Sequence, residues 1–275
     1  MLNSESLSEI IADRLNNQFN QLSKQFFSQI EETNSKFFVL DNLLPEDITL
    51  DIYNNFPSKN SYHFHNTFRE KKFTFKQLDT LENSLIGDVT SAFQMDNVKE
   101  SIERITKTIN LENDPSLYAS GLSRMDVGHF LNPHIDNSHD ANRKRYRKFN
   151  LLFYVTPDVK QSDGGNFELW NKDVKTPLKI PAIFNRLIVL ETTKDSWHSV
   201  DHVRSNIHRC CVSNYYFSED SQESYQYYHV TSFLGRPDAK ITRLYSVIDN
   251  LLRNTFSKIT GFSRGKKRIR TKKYD

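Results

Sequence analysis

Between residues 117 and 217 the chain breaks into short apolar runs, and their cadence limits the fold more than any other feature. "KFNLLFYVT", "GGNFELWN", "RLIVLETT" and "HRCCVSNYYF" are rich in β-branched and aromatic side chains. Prolines, an Asp-Gly-Gly turn or charged stretches separate them. Runs of this length with this punctuation predict strands of a barrel or sandwich. The 275 residues, 37% hydrophobic and 12% aromatic, suffice for one substantial core.

Helical patterning flanks this β region. Leu7, Ile10, Ile11, Leu15, Phe19, Leu22, Phe26, Phe27 and Ile30 recur at helical spacing and predict one amphipathic helix over residues 6–32. "KFFVLDNLLPEDITLDIYNNFP" reads as a short strand followed by a helix, with Pro45 in the first turn and Pro57 at the stop. Residues 58–80 read as a loop, and residues 80–108 as a second helical stretch. After the β region, Ile241, Leu244, Tyr245, Ile248, Leu251, Leu252, Phe256 and Ile259 mark one face of a C-terminal helix.

No run of about eighteen apolar residues is present, and "MLNSESLSEIIADRLNN" has neither a basic start nor an apolar signal core. A soluble, cytoplasmic protein without a transmembrane segment is expected. Cys210 and Cys211 are adjacent and point to opposite faces of a strand, so they do not bridge each other, which suits a reducing compartment. The formal charge is +3, but "RGKKRIRTKKYD", residues 264–275, carries seven basic residues against one acidic and leaves the rest at −3. The folded body is therefore not a basic, nucleic-acid-like surface. The tail reads as a solvated extension able to contact a polyanion such as nucleic acid, a ribosomal surface or acidic lipid.

The chemistry starts at "NPHIDNSHD". On a strand, His134 and Asp136 project to the same side and form a chelating pair. Two histidines and one carboxylate on one face of an octahedron hold Fe(II) and leave the other positions open, so a distant histidine is required. "SWHSVDHVRSNIHRC" offers His198, His202 and His208. His198 is chosen because it follows the apolar strand "RLIVLETT", whereas His202 sits in the charged loop beyond.

Eleven positions later comes Arg209, which alternation puts on one strand face with Cys211, Ser213 and Tyr215. A guanidinium entering an apolar barrel needs an anion. Two readings stand side by side: a bidentate anchor for a dicarboxylate cosubstrate, or an internal salt bridge to Glu168 or Glu191.

The ordered set "RMDVGHFLNPHID", "DGGNFELWN", "HSVDHV" and "RCCVSNYYF" resembles the prolyl-4-hydroxylase-like branch of the 2-oxoglutarate and Fe(II)-dependent dioxygenases, over about residues 37 to 217. The resemblance implies a mostly β fold with flanking helices: a double-stranded β-helix, the cupin-like jelly roll, with N-terminal helical support and a C-terminal helix. It implies one catalytic domain over 1–263, divided into a helical N-terminal region (1–115), a jelly-roll core (116–220) and a helical extension (221–263).

As site residues it implies His134, Asp136 and His198 as iron ligands and Arg209 on the distal carboxylate of 2-oxoglutarate. Tyr154 is implied against the same carboxylate, with Ser213 assisting Arg209. Fe(II), 2-oxoglutarate and O2 are the implied cofactors, with ascorbate as a reductant. The implied reaction hydroxylates an unactivated C–H bond and releases succinate and CO2. A prolyl or other amino-acid residue is the substrate that the branch suggests, and a small molecule would use the same core.

The sequence departs from the family where Met125 and Leu131 replace commonly aromatic residues, so the cosubstrate pocket is expected to be lined differently. Asp136 argues against the halogenating relatives, which put a small residue there. Gly164 and Gly165 permit a tight turn or a close backbone approach at a strand entrance. Asn166 and Trp170 are read either as substrate contacts or as barrel packing. Two other functions are kept: a nucleic-acid demethylase of the same superfamily, motivated by the basic tail, and a non-catalytic jelly-roll binding module. A second arginine shortly after the cosubstrate arginine, usual in the demethylases, is missing from "RCCVSNYYF".

Overall fold

The structure is a computed structural model that describes residues 2–28, 33–81, 84–114, 117, 119–221 and 225–260. The basic segment 264–275 and the expected boundary at 115 and 116 lie outside the described residues, as does Ile30.

Two helices, α1 (Ser4–Asn17) and α2 (Phe19–Phe27), precede β1 (Phe37–Asp41) and α3 (Glu46–Asn54). The hairpin β2 (His63–Asn66) and β3 (Glu70–Phe75) leads to α4 (Leu85–Ala92) and α5 (Asp96–Thr106). The barrel strands are β4 (Gly121–Met125), β5 (Phe130–Ile135), β6 (Tyr146–Tyr154), β7 (Phe167–Trp170), β8 (Pro177–Ile180), β9 (Arg186–Glu191), β10 (His198–Val200) and β11 (Arg209–Ser218). A short β12 (Ser232–Phe233) and the long α6 (Lys240–Thr260) close the described chain.

All described pairings are antiparallel, in the order β1-β9-β6-β11-β4-β3-β5-β10-β7-β8, with β12 on β5 and β2 on β3. The sheet curls on itself as a jelly roll. Tyr154, Ile188, Leu190 and Cys211 of one half share a buried cluster with Phe167, Leu169 and Ile180 of the other. The strand period of two explains both faces. Phe149, Leu151, Phe153, Leu187, Val189, Cys210 and Val212 point outward into a second core with Leu7, Ile11, Leu15, Leu22 and Phe26 of the helices. The two free cysteines thus belong to different cores.

Three sequence expectations need correction. The helix expected over 6–32 is two helices, broken at Gln18, whose N–H bonds the carbonyls of Leu15 and Asn16. The weak helix formers Asn16 and Asn17 sit at the break. The stretch 80–108 is likewise divided, with Ser84 capping α4 and Lys107 ending α5 in a left-handed conformation. Residues 58–80 are not a loop but carry the β2-β3 hairpin. The alternation is present, because Phe73 and Phe75 enter the outer core. On the opposite face Lys72 and Thr74, with the exposed Lys76 just past the strand, line an open cavity with polar side chains, which gives the segment the composition of a loop.

Candidate metal and cosubstrate site

The register of three strands brings the chelating residues together. β10 lies between β5 and β7, and His198 opposes His134 directly. Asp136 follows β5 immediately, on the same side as His134. His134 Nε2 lies 3.8 Å from Asp136 Oδ1, and His198 Nε2 lies 3.9 Å from Asp136 Oδ2. One ligand atom from each residue lies within 4.8 Å of the others. Among the described residues no other group of three such side chains converges in this way.

The ring orientations are set by the backbone. His134 Nδ1 meets the Asn132 carbonyl at 3.1 Å and His198 Nδ1 meets the Ser196 carbonyl at 2.9 Å. Donation from Nδ1 leaves both Nε2 lone pairs for the shared point, an arrangement typical of metal-ligating histidines. Burial, and then the neighbouring His198, lower the His134 pKa from 6.5 to about 3, so the ring is neutral. For Asp136 burial acts upward, but Arg147 and the two histidines outweigh it and hold the carboxyl well below the usual range. Two imidazoles that present Nε2 and one carboxylate fit an Fe(II) ion.

Arg147 was not anticipated. Its Nη1 lies 3.3 Å from Asp136 Oδ2, and its guanidinium stacks 4.0 Å over Tyr215. Simple alternation from the inward Tyr154, Leu152 and Asn150 would turn residue 147 outward. A bulge intervenes: Phe149 opposes Tyr216 and Arg147 opposes Phe217, so Lys148 is the extra residue and the parity flips. No local sequence signal marks that bulge. Asn150 also reaches Asp136 Oδ2, at 3.4 Å.

From the cluster an inner cavity of ≈ 170 Å³ runs to Arg209, past Met125, Leu131, Phe167 and Val200. Arg209 is 4% exposed. Its Nε donates to the Gly165 carbonyl at 2.5 Å, Nη2 donates to Tyr154 Oη at 3.3 Å, and Nη1 lies 3.6 Å from Met125 Sδ. Among the described residues it has no carboxylate within ion-pair distance. Glu168 instead takes Arg236 at 2.7 Å and Lys179 at 3.6 Å. Glu191, raised by burial, faces Lys36 and Lys148. Neither forms the salt bridge offered as the alternative for Arg209.

Tyr154 is fully buried, and burial raises its phenol pKa, so it stays a neutral hydroxyl under Arg209. Ser213 lines the same cavity, but its Oγ contacts Cys211 Sγ at 3.9 Å, and no hydrogen bond joins it to Arg209. Met125 opposes Arg209 in the ladder and supplies the sulfur contact, so the departure from an aromatic residue sits directly on the guanidinium.

The glycine pair is explained by close approach. At Gly165, with φ +70°, a Cβ would lie 2.8 Å from Arg209 Cδ. At Gly164, with φ +73°, it would lie 2.0 Å from the His202 carbonyl oxygen. His202 itself packs against the Phe130 ring, tilted, at 4.8 Å and His208 bonds Asp126, both outside the cluster. Asn166 bonds Asp201, and Trp170 Nε1 donates to Ser199 at 2.8 Å, so both are engaged in packing. Phe233 stacks on His134 at 5.2 Å, a contact unreadable in sequence because it comes from β12, about a hundred residues away.

Residues 120–217 match the family described as the 2OG-Fe(II) oxygenase superfamily. This barrel segment belongs to that superfamily. The oxygenase family implies Fe(II) and 2-oxoglutarate as its cofactors. Among solved structures, the chain is similar to prolyl 4-hydroxylases of Phytophthora capsici at 16% identity and a TM-score of 0.54, covering 91% of this chain and 77% of that one. It is similar to a Pseudomonas putida prolyl-4-hydroxylase at 13% identity and 0.53, covering 77% and 100%. A Trichoplax adhaerens prolyl hydroxylase, in complex with a hypoxia inducible factor peptide, matches at 18% identity and 0.50, covering 78% and 91%. At these identities the likeness concerns the fold. A search of curated proteins finds no match.

Proposed function

We propose that this oxygenase hydroxylates an unactivated C–H bond of a prolyl or other amino-acid residue, consuming 2-oxoglutarate and O2 and releasing succinate and CO2. The carrying observation is Arg209: a buried guanidinium without a carboxylate partner among the described residues, at the far end of a cavity that begins at the His134, Asp136 and His198 cluster. A buried cation is stable only with an anion, and its planar fork matches a carboxylate.

In this reading His134, Asp136 and His198 would hold Fe(II). When bound, the metal and the 2-oxoglutarate supply the oxidative decarboxylation and the oxidising power for C–H cleavage. The chain's own residues bind, orient and shield. Arg209 and the Tyr154 hydroxyl fix the distal carboxylate, and Gly165 supplies the space in which the arginine lies. Arg147 and Asn150 hold Asp136 Oδ2, which keeps the carboxylate ionised and oriented. Met125, Leu131, Phe167 and Val200 exclude water from the inner cavity. Substrate enters by the outer chamber of ≈ 330 Å³, which shares His134 and Asp136 with the inner one and opens past Phe233, Thr231 and Arg253. Ascorbate would be the external reductant for the bound metal.

The test is Fe(II)-dependent succinate release from 2-oxoglutarate over a panel of prolyl peptides, free amino acids and methylated nucleic acids. Mass spectrometry reads the products. A gain of one oxygen with succinate supports hydroxylation. Formaldehyde release would reassign the protein as a demethylase, and absence of both Fe(II) binding and 2-oxoglutarate turnover would make it a binding module.

A further inference from the structure

The long helix α6 is docked in the reverse of the usual sense. Its polar residues face the barrel: Asn250 exchanges two hydrogen bonds with the Phe233 backbone, and Asn254 bonds the Val230 N–H and Ser232 Oγ. Arg243 donates to the carbonyls of Asp173 and Val174, and Asp249 pairs with Arg69. Gly235 makes room for the first turn, since a Cβ there would lie 2.4 Å from Arg243 N. Ser246 is buried at 1% exposure, whereas Leu251 is 69% and Ile259 79% exposed.

Every large apolar side chain on the other face is at least half exposed: Ile241, Leu244, Tyr245, Val247, Ile248, Leu251, Leu252, Phe256 and Ile259. A soluble monomer does not normally leave so many in one contiguous patch. At about 100° per residue they span about half the helix circumference, wider than the a/d seam that one partner helix covers. The seam is also incomplete: Tyr245, Leu252 and Ile259 keep the heptad spacing, but Thr255 follows Ile241 and Ile248 and Lys258 follows Leu244 and Leu251.

The charge on the same segment selects the occupant. Residues 240–275 hold eleven Lys and Arg against two Asp, a net of +9, which leaves the remainder of the +3 chain at −6. Seven of those cations follow the helix directly, in 264–275. The one carboxylate on the helix, Asp249, is tied to Arg69 and Arg253. An apolar helical face contiguous with a polybasic stretch is the two-component signal that holds a protein on an anionic bilayer.

We infer that α6 is an interfacial helix that docks this protein on an anionic lipid surface, its apolar face in the acyl boundary and the basic residues of 264–275 on the headgroups. No helix among the described residues is long and apolar enough to cross a membrane, which fits a helix lying in the surface plane. The barrel, rather than water, satisfies the polar face. Because α6 contributes Arg253 to the outer chamber, docking sets the chamber entrance beside the lipid.

The experiment is sedimentation of the full chain with vesicles of phosphatidylcholine, alone or with one third phosphatidylserine, at low and high salt. It reads binding and is independent of catalysis. Affinity for the phosphatidylserine vesicles is expected to be about a hundredfold higher or more and to fall with salt, since about three surface cations suffice for that ratio. Leu244→Glu with Leu251→Glu should lose the binding while melting like the parent protein, because both side chains are exposed. Truncation after Phe262 should reduce phosphatidylserine binding to the phosphatidylcholine level. Equal binding to both vesicles, retention in the double variant, or a truncation without effect would each overturn the inference. So would a solution dimer, seen by light scattering, that the double substitution dissociates, since a second copy would then cover the face.

Discussion

Replacing Arg209 with Met removes the guanidinium and keeps most of the apolar stem, so it separates the two roles a buried arginine can have. The arginine's Nε is used on the Gly165 carbonyl, while among the described residues the two Nη atoms have only Tyr154 Oη at 3.3 Å and Met125 Sδ at 3.6 Å. The fork is therefore available to a carboxylate. Truncating one side of a buried charge-assisted pair costs about 2–5 kcal/mol. At about 1.4 kcal/mol per decade this raises the 2-oxoglutarate requirement by about thirtyfold to a few thousandfold. The stability of the cosubstrate-free protein should move differently. A structural ion pair broken on one side loses about 3–5 kcal/mol, but here no described carboxylate is left behind, so the melting temperature without 2-oxoglutarate should not fall by that amount. Cosubstrate at a hundred times its Kd stabilises the parent protein by about 2.7 kcal/mol, and the same concentration should barely shift the variant. Succinate release gives the requirement, and anaerobic Fe(II)-loaded melting gives the stability. A folded variant with an unchanged 2-oxoglutarate requirement, or one that loses several kcal/mol without cosubstrate, would refute the anchor role.

His134→Ala, Asp136→Ala and His198→Ala should each abolish Fe(II)-dependent 2-oxoglutarate turnover, while His202→Ala should not; tight metal binding that depends on His202 and survives His198→Ala would reverse the assignment. Gly165→Ala places a Cβ 2.8 Å from Arg209 Cδ at φ +70°. A left-handed non-glycine residue costs about 1–2 kcal/mol, so a lower melting temperature should accompany a raised 2-oxoglutarate KM, and an unchanged KM would separate Gly165 from the arginine. In the metal-free protein, burial lowers the pKa of His229 from 6.5 to about 4 and that of His134 to about 3. The unfolded chain therefore binds protons first, so this contribution is complete above about pH 6.5 and drains as the pH falls, toward 4 for His229 and toward 3 for His134. Urea midpoints across that range measure the slope, which His229→Gln should flatten.

The opposite sign of the α6 surface shows how far periodicity reads. The spacing of Ile241, Leu244, Ile248 and Leu251 specifies a helix with an apolar face, and the helix is there. Which face the barrel takes is a separate matter, decided by the backbone groups of residues 230–233 that need Asn250 and Asn254 as partners. Arg147 illustrates the same limit inside the barrel, because a single extra residue, Lys148, reverses the parity of everything N-terminal to it on β6. The β2-β3 hairpin was hidden for a third reason: a strand face that lines a polar cavity resembles solvent-facing sequence.

By itself the sequence determined what depends on neighbours along the chain. The short apolar runs specified strands, the two-residue spacing put His134 and Asp136 on one side, and alternation set Arg209 on one face with Cys211, Ser213 and Tyr215. Only the tertiary structure decided what depends on register between distant strands. His198 reaches His134 because β10 pairs with β5, and Arg209 is left without a described carboxylate while Glu168 pairs with Arg236 and Lys179. Local spacing fixes where a side chain points along its own element. Which elements face one another is settled by burial and hydrogen bonding summed over the whole chain, and that sum is not written in any one segment.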